Sequence, residues 1–338
     1  MKIGMIFPGQ GTQFLGMCKE LYDRERIIQE LFEHASSCLD QNFVRLCFAS
    51  SEKELKETIN AQTSIFLASA SIYTLLSSKY GIKPDLVAGH SSGEYSAIFA
   101  AGGMTFADSL YLLKKRALFL EEATKKYHGG MLAALALPFE TVQAICKKYD
   151  DPSSNEKVAE IVNYNSPTQF VISGTLPELN AIASDIKAAG GKGIALNVSG
   201  AFHSRLMKEA EKNFTTYLVK VDFKDLQAPL VNNVEAKMVQ TNKDIKTSLV
   251  KQMSSNVLWW PAMEQFKNMD LIIEIGPDSK YSKMIKREWP TVNIVSVNTP
   301  KDVEQLLVTL NIEVEKTEME LILESELKKN KGTISGAV

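Results

Sequence analysis

The run Gly89-His90-Ser91-Ser92-Gly93 holds a serine between two glycines at G-x-S-x-G spacing. Before it, Leu86-Val87-Ala88 is a short apolar run that reads as a buried strand; from Glu94 to Ala100 the chain reads as a helix. Strand, G-x-S-x-G and helix together describe a nucleophile elbow, a strained turn that lifts one hydroxyl above a sheet. Glycines suit the flanks because side chains there would strike the neighbouring strand and helix. The helix N-terminus favours developing negative charge, and the backbone N–H of Ser92 would face an oxyanion. Gly and Ser also fill ordinary turns; the strand before and the helix after are what favour Ser91 as a nucleophile.

A serine nucleophile needs a base. The histidines are His34, His90, His128 and His203. His34 lies in a polar helix, His90 points away from Ser91 if the strand runs into the turn, and His128 sits in a loop beside Gly129-Gly130. His203 lies at a junction before a helix and after Ser91 in the chain, the order found in hydrolase-like folds. No acid stands out to orient it, so a full triad and a Ser–His dyad oriented by a backbone carbonyl both stand. Arg116 also admits two readings. Lys114-Lys115-Arg116 is a charge run of the kind that faces water, yet Arg116 follows Leu112 by four and Leu113 by three and precedes Leu120 by four. That spacing sets it beside the apolar stripe of a helix, where a guanidinium would need a partner such as a substrate carboxylate.

The elements that must position these residues follow from periodicity. A strand over 2–7 runs into Pro8-Gly9-Gln10-Gly11-Thr12-Gln13, a loop whose glycines let backbone approach a ligand. Helices are expected over 17–34 and 61–80, and from Thr105, with Asp108 completing a capping box, to about residue 125. Between 131 and 198 the order is strand 131–137, helix 139–149, strands 158–163 and 169–173, helix 176–189 and strand 194–198. This β-α-β-β-α-β order is that of a ferredoxin-like unit. Then come a helix over 205–220, strands over 230–234 and 271–275, a helix near 281–287, a strand over 292–297, and a helical, charged stretch after Pro300.

Composition sets the bounds. The chain has 338 residues, of which 45% are hydrophobic, and a formal net charge of −2 with both signs mixed. That supports a sizeable core and argues against nucleic acid as a partner. Four cysteines lack metal or disulfide-framework spacing, and no apolar run approaches membrane-spanning length. The opening stretch before Pro8-Gly9 is too short for a secretory signal. The expectation is a soluble, cytoplasmic protein without a membrane contact.

Phe7-Pro8-Gly9-Gln10-Gly11-Thr12-Gln13, Gly89 to Ala97, Arg116, Asn163-Tyr164-Asn165-Ser166-Pro167, Gly200-Ala201-Phe202-His203-Ser204 and Asn232-Asn233-Val234, in this order, resemble the malonyl-CoA:acyl carrier protein transacylases of fatty acid and polyketide synthesis. The resemblance covers roughly residues 1–300. It implies an α/β fold with a hydrolase-like large subdomain, carrying a parallel sheet and the nucleophile elbow, and an inserted ferredoxin-like small subdomain. The large subdomain is expected over 1–125 and 199–310, the small one over 126–198, and a partly frayed helical tail over 311–338.

Carried over, Ser91 resembles the acylated nucleophile, His203 its base, and Arg116 the residue that pairs with the malonyl carboxylate. The backbone N–H groups of Gln10 and Ser92 resemble the oxyanion hole, and Gln252 the residue whose backbone carbonyl orients the histidine. Ala201-Phe202-His203 looks like the malonyl-preferring form of a specificity motif. Two positions depart from the family pattern: Ser92 stands where an aliphatic residue is usual, and Asp278 where glycine usually follows Gly-Pro. The implied partners are malonyl-CoA and an acyl carrier protein, on a monomer needing no metal or cofactor. A proofreading acyl-thioester hydrolase would use the same dyad without a carboxylate anchor, and a non-catalytic docking module would have no need of both Ser91 and His203.

Overall fold

The structure, a computed structural model, describes residues 1–313; the expected tail beyond 313 lies outside the described residues. Two sheets organise the chain. The larger contains β1 (Ile3–Phe7), β2 (Leu86–Gly89), β7 (Leu230–Val231), β8 (Met238–Val239), β9 (Leu271–Ile275) and β10 (Ile294–Val297); the smaller contains β3 (Gly129–Leu135), β4 (Ala159–Ser166), β5 (Gln169–Thr175) and β6 (Lys192–Ala195).

In the larger sheet the order is β10-β9-β1-β2-β7-β8. All pairings are parallel except β7 with β8. Helices cover both faces, which is why β2 and β9 are buried along their whole length and do not alternate apolar with polar, β9 being apolar except for Glu274. Met5 on the central β1 sits opposite Val87 on one side and Ile273 on the other. The ends of β1 and β2 therefore open onto the same edge, and the loop after Phe7 lies beside the turn after Gly89.

The smaller sheet is antiparallel in the order β4-β5-β3-β6. Counted within the unit, that is second, third, first, fourth, the ferredoxin-like arrangement. Helices Phe139–Lys147 and Leu176–Ala188 pack on one face, burying Val142, Ile145, Ile182 and Ile186 against Leu132, Phe170 and Ile172. The fold is thus α/β, a hydrolase-like parallel sheet with an inserted ferredoxin-like unit. The two parts are joined by backbone: Val257 N–H donates to Val162 O at 2.7 Å and Val257 O accepts from Tyr164 N–H at 3.0 Å. Arg205 reinforces the join, pairing with Asp150 at 2.9 Å and with Glu160.

Several elements differ from their expected bounds for local reasons. The strand expected over 230–234 stops at Val231, because Asn232 turns the chain by accepting the Glu235 N–H at 2.9 Å. The helix expected over 17–34 is two, Lys19–Arg24 and Arg26–Leu39, separated by Glu25 in extended conformation. Thr105 caps helix Phe106–Lys126 by accepting from Asp108 N–H at 3.1 Å. The capping box is half made, since the Thr105 hydroxyl, not its N–H, donates to the Asp108 carboxylate. Helices Phe43–Ala49, Glu52–Lys56, Asn242–Gln252 and Trp259–Glu264 were not legible from periodicity; three of them are too short for a pattern to repeat.

Candidate active site

Ser91 stands at the turn between β2 and helix Gly93–Ala100 with φ 53°, left-handed for a residue with a Cβ. Such a conformation costs on the order of 1–3 kcal/mol and persists only where surroundings over-determine it. Here they do. Ser91 N–H donates to Asn233 Oδ1 at 2.7 Å, Asn233 Nδ2 donates to Gly89 O at 2.7 Å, and Gln252 Nε2 donates to Ser91 O at 3.0 Å. The flanking glycines are steric necessities: a Cβ on Gly89 would run into the Gly93 carbonyl, and one on Gly93 into the Phe7 carbonyl.

The structure brings Ser91 and His203 together, with Oγ 2.7 Å from Nε2. On the other side of the ring, Nδ1 lies 2.9 Å from Gln252 O and 3.2 Å from Ser255 O. Both partners are carbonyls and can only accept, so Nδ1 carries the proton and Nε2 is free to accept the serine O–H. The group orienting the imidazole is therefore backbone carbonyl rather than carboxylate. His203 is itself left-handed, φ 65°, and buried. Burial, then the nearby Arg116 charge, lower its pKa to about 3, against the pull of the two carbonyls, so the ring is neutral at physiological pH.

Arg116 is not on the solvated face of its helix. It is 1% exposed, while Lys114 and Lys115 stay half-exposed. Its Nη2 donates to Ser91 Oγ at 3.1 Å and its Nη1 to Gln62 Oε1 at 2.9 Å. Nε has no partner, and among the described residues Arg116 forms no salt bridge. A buried guanidinium with no carboxylate in salt-bridge contact, touching the serine hydroxyl, is a place for an anionic group to bind.

Gln62 was not read from the sequence as part of the site. It lies in helix Thr58–Tyr80, where every residue from Asn60 to Ile72 is buried. A glutamine inside such a helix must find polar partners, which is the signal that could have found it. Besides holding Arg116, Gln62 Nε2 donates to Gln10 Oε1 at 3.2 Å. Gln10 itself follows Gly9, where a Cβ would collide with the His90 carbonyl, so the loop lies directly against the elbow. Ser92 is the N-cap residue of the elbow helix, so its N–H has no acceptor within the helix. Its hydroxyl is buried without a partner.

The remaining histidines stay away from the hydroxyl. His90 is buried on the far side of the turn, donating from Nε2 to Asn165 Oδ1 at 2.9 Å between Trp259 and Tyr281. Burial lowers its pKa to about 4. His34 and His128 are exposed. Asp278 accepts the Ser279 N–H at 2.6 Å, just ahead of helix Lys280–Glu288.

A serine in an elbow, a histidine oriented by carbonyls and a buried cation beside the hydroxyl define an acyl-transfer site on a hydrolase-like fold. The chain belongs to the acyl transferase domain family, whose model matches residues 5–318. It is 35% identical over 315 residues to the malonyl CoA-acyl carrier protein transacylase of Bacillus subtilis (strain 168), a match covering 92% of this chain and 98% of that protein. Among solved structures it is similar to the malonyl CoA-acyl carrier protein transacylase of Clostridium perfringens, with a TM-score of 0.85, 34% identity, and coverage of 96% of this chain and 100% of that one. A malonyl-transacylase in complex with its type II PKS acyl-carrier protein is similar at a TM-score of 0.87 and 31% identity, covering 91% of this chain and 100% of that one.

Proposed function

We propose that this protein transfers the malonyl group of malonyl-CoA to the phosphopantetheine thiol of an acyl carrier protein, through a malonyl ester on Ser91. The observation that carries the reading is that one hydroxyl meets both a neutral imidazole and a buried, unpaired guanidinium. The first activates the nucleophile. The second supplies a charge partner for the carboxylate that distinguishes malonyl from acetyl.

In the first half-reaction Ser91 Oγ attacks the thioester carbonyl while its proton passes to His203 Nε2. The tetrahedral oxyanion is held by the backbone N–H groups of Gln10 and Ser92. The C–S bond breaks, and the proton on His203 passes to the departing CoA thiolate. In the second, the carrier thiol gives its proton to His203 and attacks the malonyl ester, and Ser91 leaves with that proton. The Gln252 carbonyl, accepting from Nδ1–H, keeps the ring in the tautomer both halves need.

We assign the hydrolase-like subdomain to 1–125 and 199–310 and the ferredoxin-like one to 126–198, with the site at the join. Every group in the reaction comes from one chain, which supports a monomeric working unit. All four cysteines carry free thiols, which fits a reducing, cytoplasmic setting. The proofreading hydrolase has no comparable support, because it leaves Arg116 without a role. The test is incubation with malonyl-CoA with and without a phosphopantetheinylated carrier protein. The expected result is malonyl on Ser91 by peptide mass spectrometry, then transfer to carrier; release of free malonate as the main product would sink the reading.

A further inference from the structure

Glu94 is fully buried directly beneath the elbow, and no step above uses it. Its Oε1 accepts the Asn233 backbone N–H at 3.2 Å, and its Oε2 accepts from Gln252 Nε2. These two partners are the residues that hold Ser91. Asn233 takes its N–H and Gln252 donates to its carbonyl. The Gln252 backbone also accepts from His203 Nδ1. One carboxyl group thus stands behind both members of the dyad without touching either.

Its hydrogen bonds favour one charge state. Each oxygen accepts from an N–H donor, an arrangement that suits the carboxylate better than the acid. Ser91 and His203 both hold left-handed backbone, at φ 53° and 65°. Two strained residues that must meet within hydrogen-bond distance require a rigid support.

We propose that ionised Glu94 is the positioning residue of this site, fixing the Ser91 turn and the His203 orientation through Asn233 and Gln252, so that protonation of Glu94 slackens the dyad. The charged and titratable groups around it are Arg116 from helix Phe106–Lys126, Tyr95 beside it on its own helix, and His203 through Gln252. Burial pushes the Glu94 carboxyl up to about 7, opposed by its two hydrogen bonds and by Arg116. His203 loses its proton near 3. As pH falls through 7, Glu94 therefore protonates while the imidazole is still neutral, and acylation declines well above the pH at which the base itself is lost.

The proposal rests on the reading of Ser91 as the acylated residue, so the first measurement is wild-type single-turnover acylation by malonyl-CoA from pH 5 to 9, with the label mapped to Ser91. Glu94→Gln is then compared at pH 8, where its rate is expected to drop about ten- to a hundredfold with KM for malonyl-CoA unchanged. Its pH profile should lose the acid limb near 7. Gln252→Met keeps the backbone carbonyl on His203 but removes the side-chain amide, and is expected to slow acylation in the same way. A wild-type rate for Glu94→Gln, a raised KM with kcat intact, or an unaltered acid limb would overturn the proposal. If Glu94→Gln does not fold, Gln252→Met decides: a slow, folded variant supports the role, and a wild-type rate overturns it. Wild-type enzyme without label on Ser91 would bring down the reading of the site and this role with it. A labelled Ser91 with indifferent variants removes Glu94 alone.

Discussion

The Arg116 guanidinium reaches the Ser91 hydroxyl, Nη2 to Oγ 3.1 Å, from the separate helix Phe106–Lys126 that follows the elbow helix. The proposed function sets the malonyl carboxylate against this guanidinium. Arg116→Ala should therefore weaken malonyl-CoA use far more than acetyl-CoA use, by roughly 1.5–3 kcal/mol or about ten- to a hundredfold in relative specificity. Arg116→Lys should recover part of this, because an ammonium cannot make the planar two-point contact. The measurement is the ratio of kcat/KM for the two substrates in wild type and both variants; an unchanged ratio would take the carboxylate away from Arg116.

Gln62 supports that guanidinium, and removing it tests the support separately. Gln62→Met leaves Arg116 Nη1 buried without an acceptor and frees the Gln10 side chain. An unsatisfied buried donor costs about 1–3 kcal/mol. The expected outcome is a lower melting temperature together with a malonyl-over-acetyl preference reduced less than in Arg116→Ala. Unchanged selectivity would mean that Arg116 holds its place without Gln62.

Two serines share the elbow, and only one hydroxyl meets the histidine. Ser91→Ala should abolish acyl-enzyme formation. Ser92→Ala should largely spare it, since the Ser92 hydroxyl has no partner to lose and its backbone N–H remains. Peptide mass spectrometry after incubation with malonyl-CoA reads both outcomes, and an acyl group on Ser92 would contradict the assignment.

His203→Ala should slow acylation by about a hundred- to ten-thousandfold, the usual scale of general-base help, without unfolding the chain. The same residue bears on stability. Its pKa is lowered to about 3 in the fold, against about 6.5 for an unperturbed histidine. A depressed pKa contributes stability that is present above 6.5 and is lost as pH falls towards 3. His90, lowered to about 4, acts in the same direction, and the two together outweigh Glu94, which is raised to about 7 and acts in the opposite one. Thermal melts from pH 8 to 4.5 should show wild type losing stability on acidification and His203→Ala losing less. Parallel curves would show that His203 does not enter the fold as a neutral ring.

Much of this arrangement was legible one segment at a time. The elbow could be read because its causes are local: Gly89 and Gly93 are needed where backbones touch, and Ser91 is central between them. The ferredoxin-like order could be read because its strands and helices alternate with clear periods and end at Gly-Gly or Pro. The helix Asn242–Gln252, which brings Gln252 under His203, was not legible, since eleven mostly polar residues show only a weak apolar stripe. Glu94 and Asn233 sat in quoted motifs, yet no spacing tells which carboxyl or amide will be buried beneath a turn.

The sequence by itself therefore determined most of the strands and the longer helices, the strained serine turn and its steric neighbours, because backbone sterics and side-chain periodicity act within a few residues. Only the tertiary structure decided that Arg116 faces inward, that His203 takes its orientation from carbonyls, and that Glu94 lies behind both halves of the dyad. Those contacts join residues far apart in the chain, 112 positions for Ser91 and His203 and 158 for Glu94 and Gln252. Whether a charged or polar side chain is solvated or held depends on which groups exclude water around it, and that is settled only when the sheet, the inserted unit and their helices pack together.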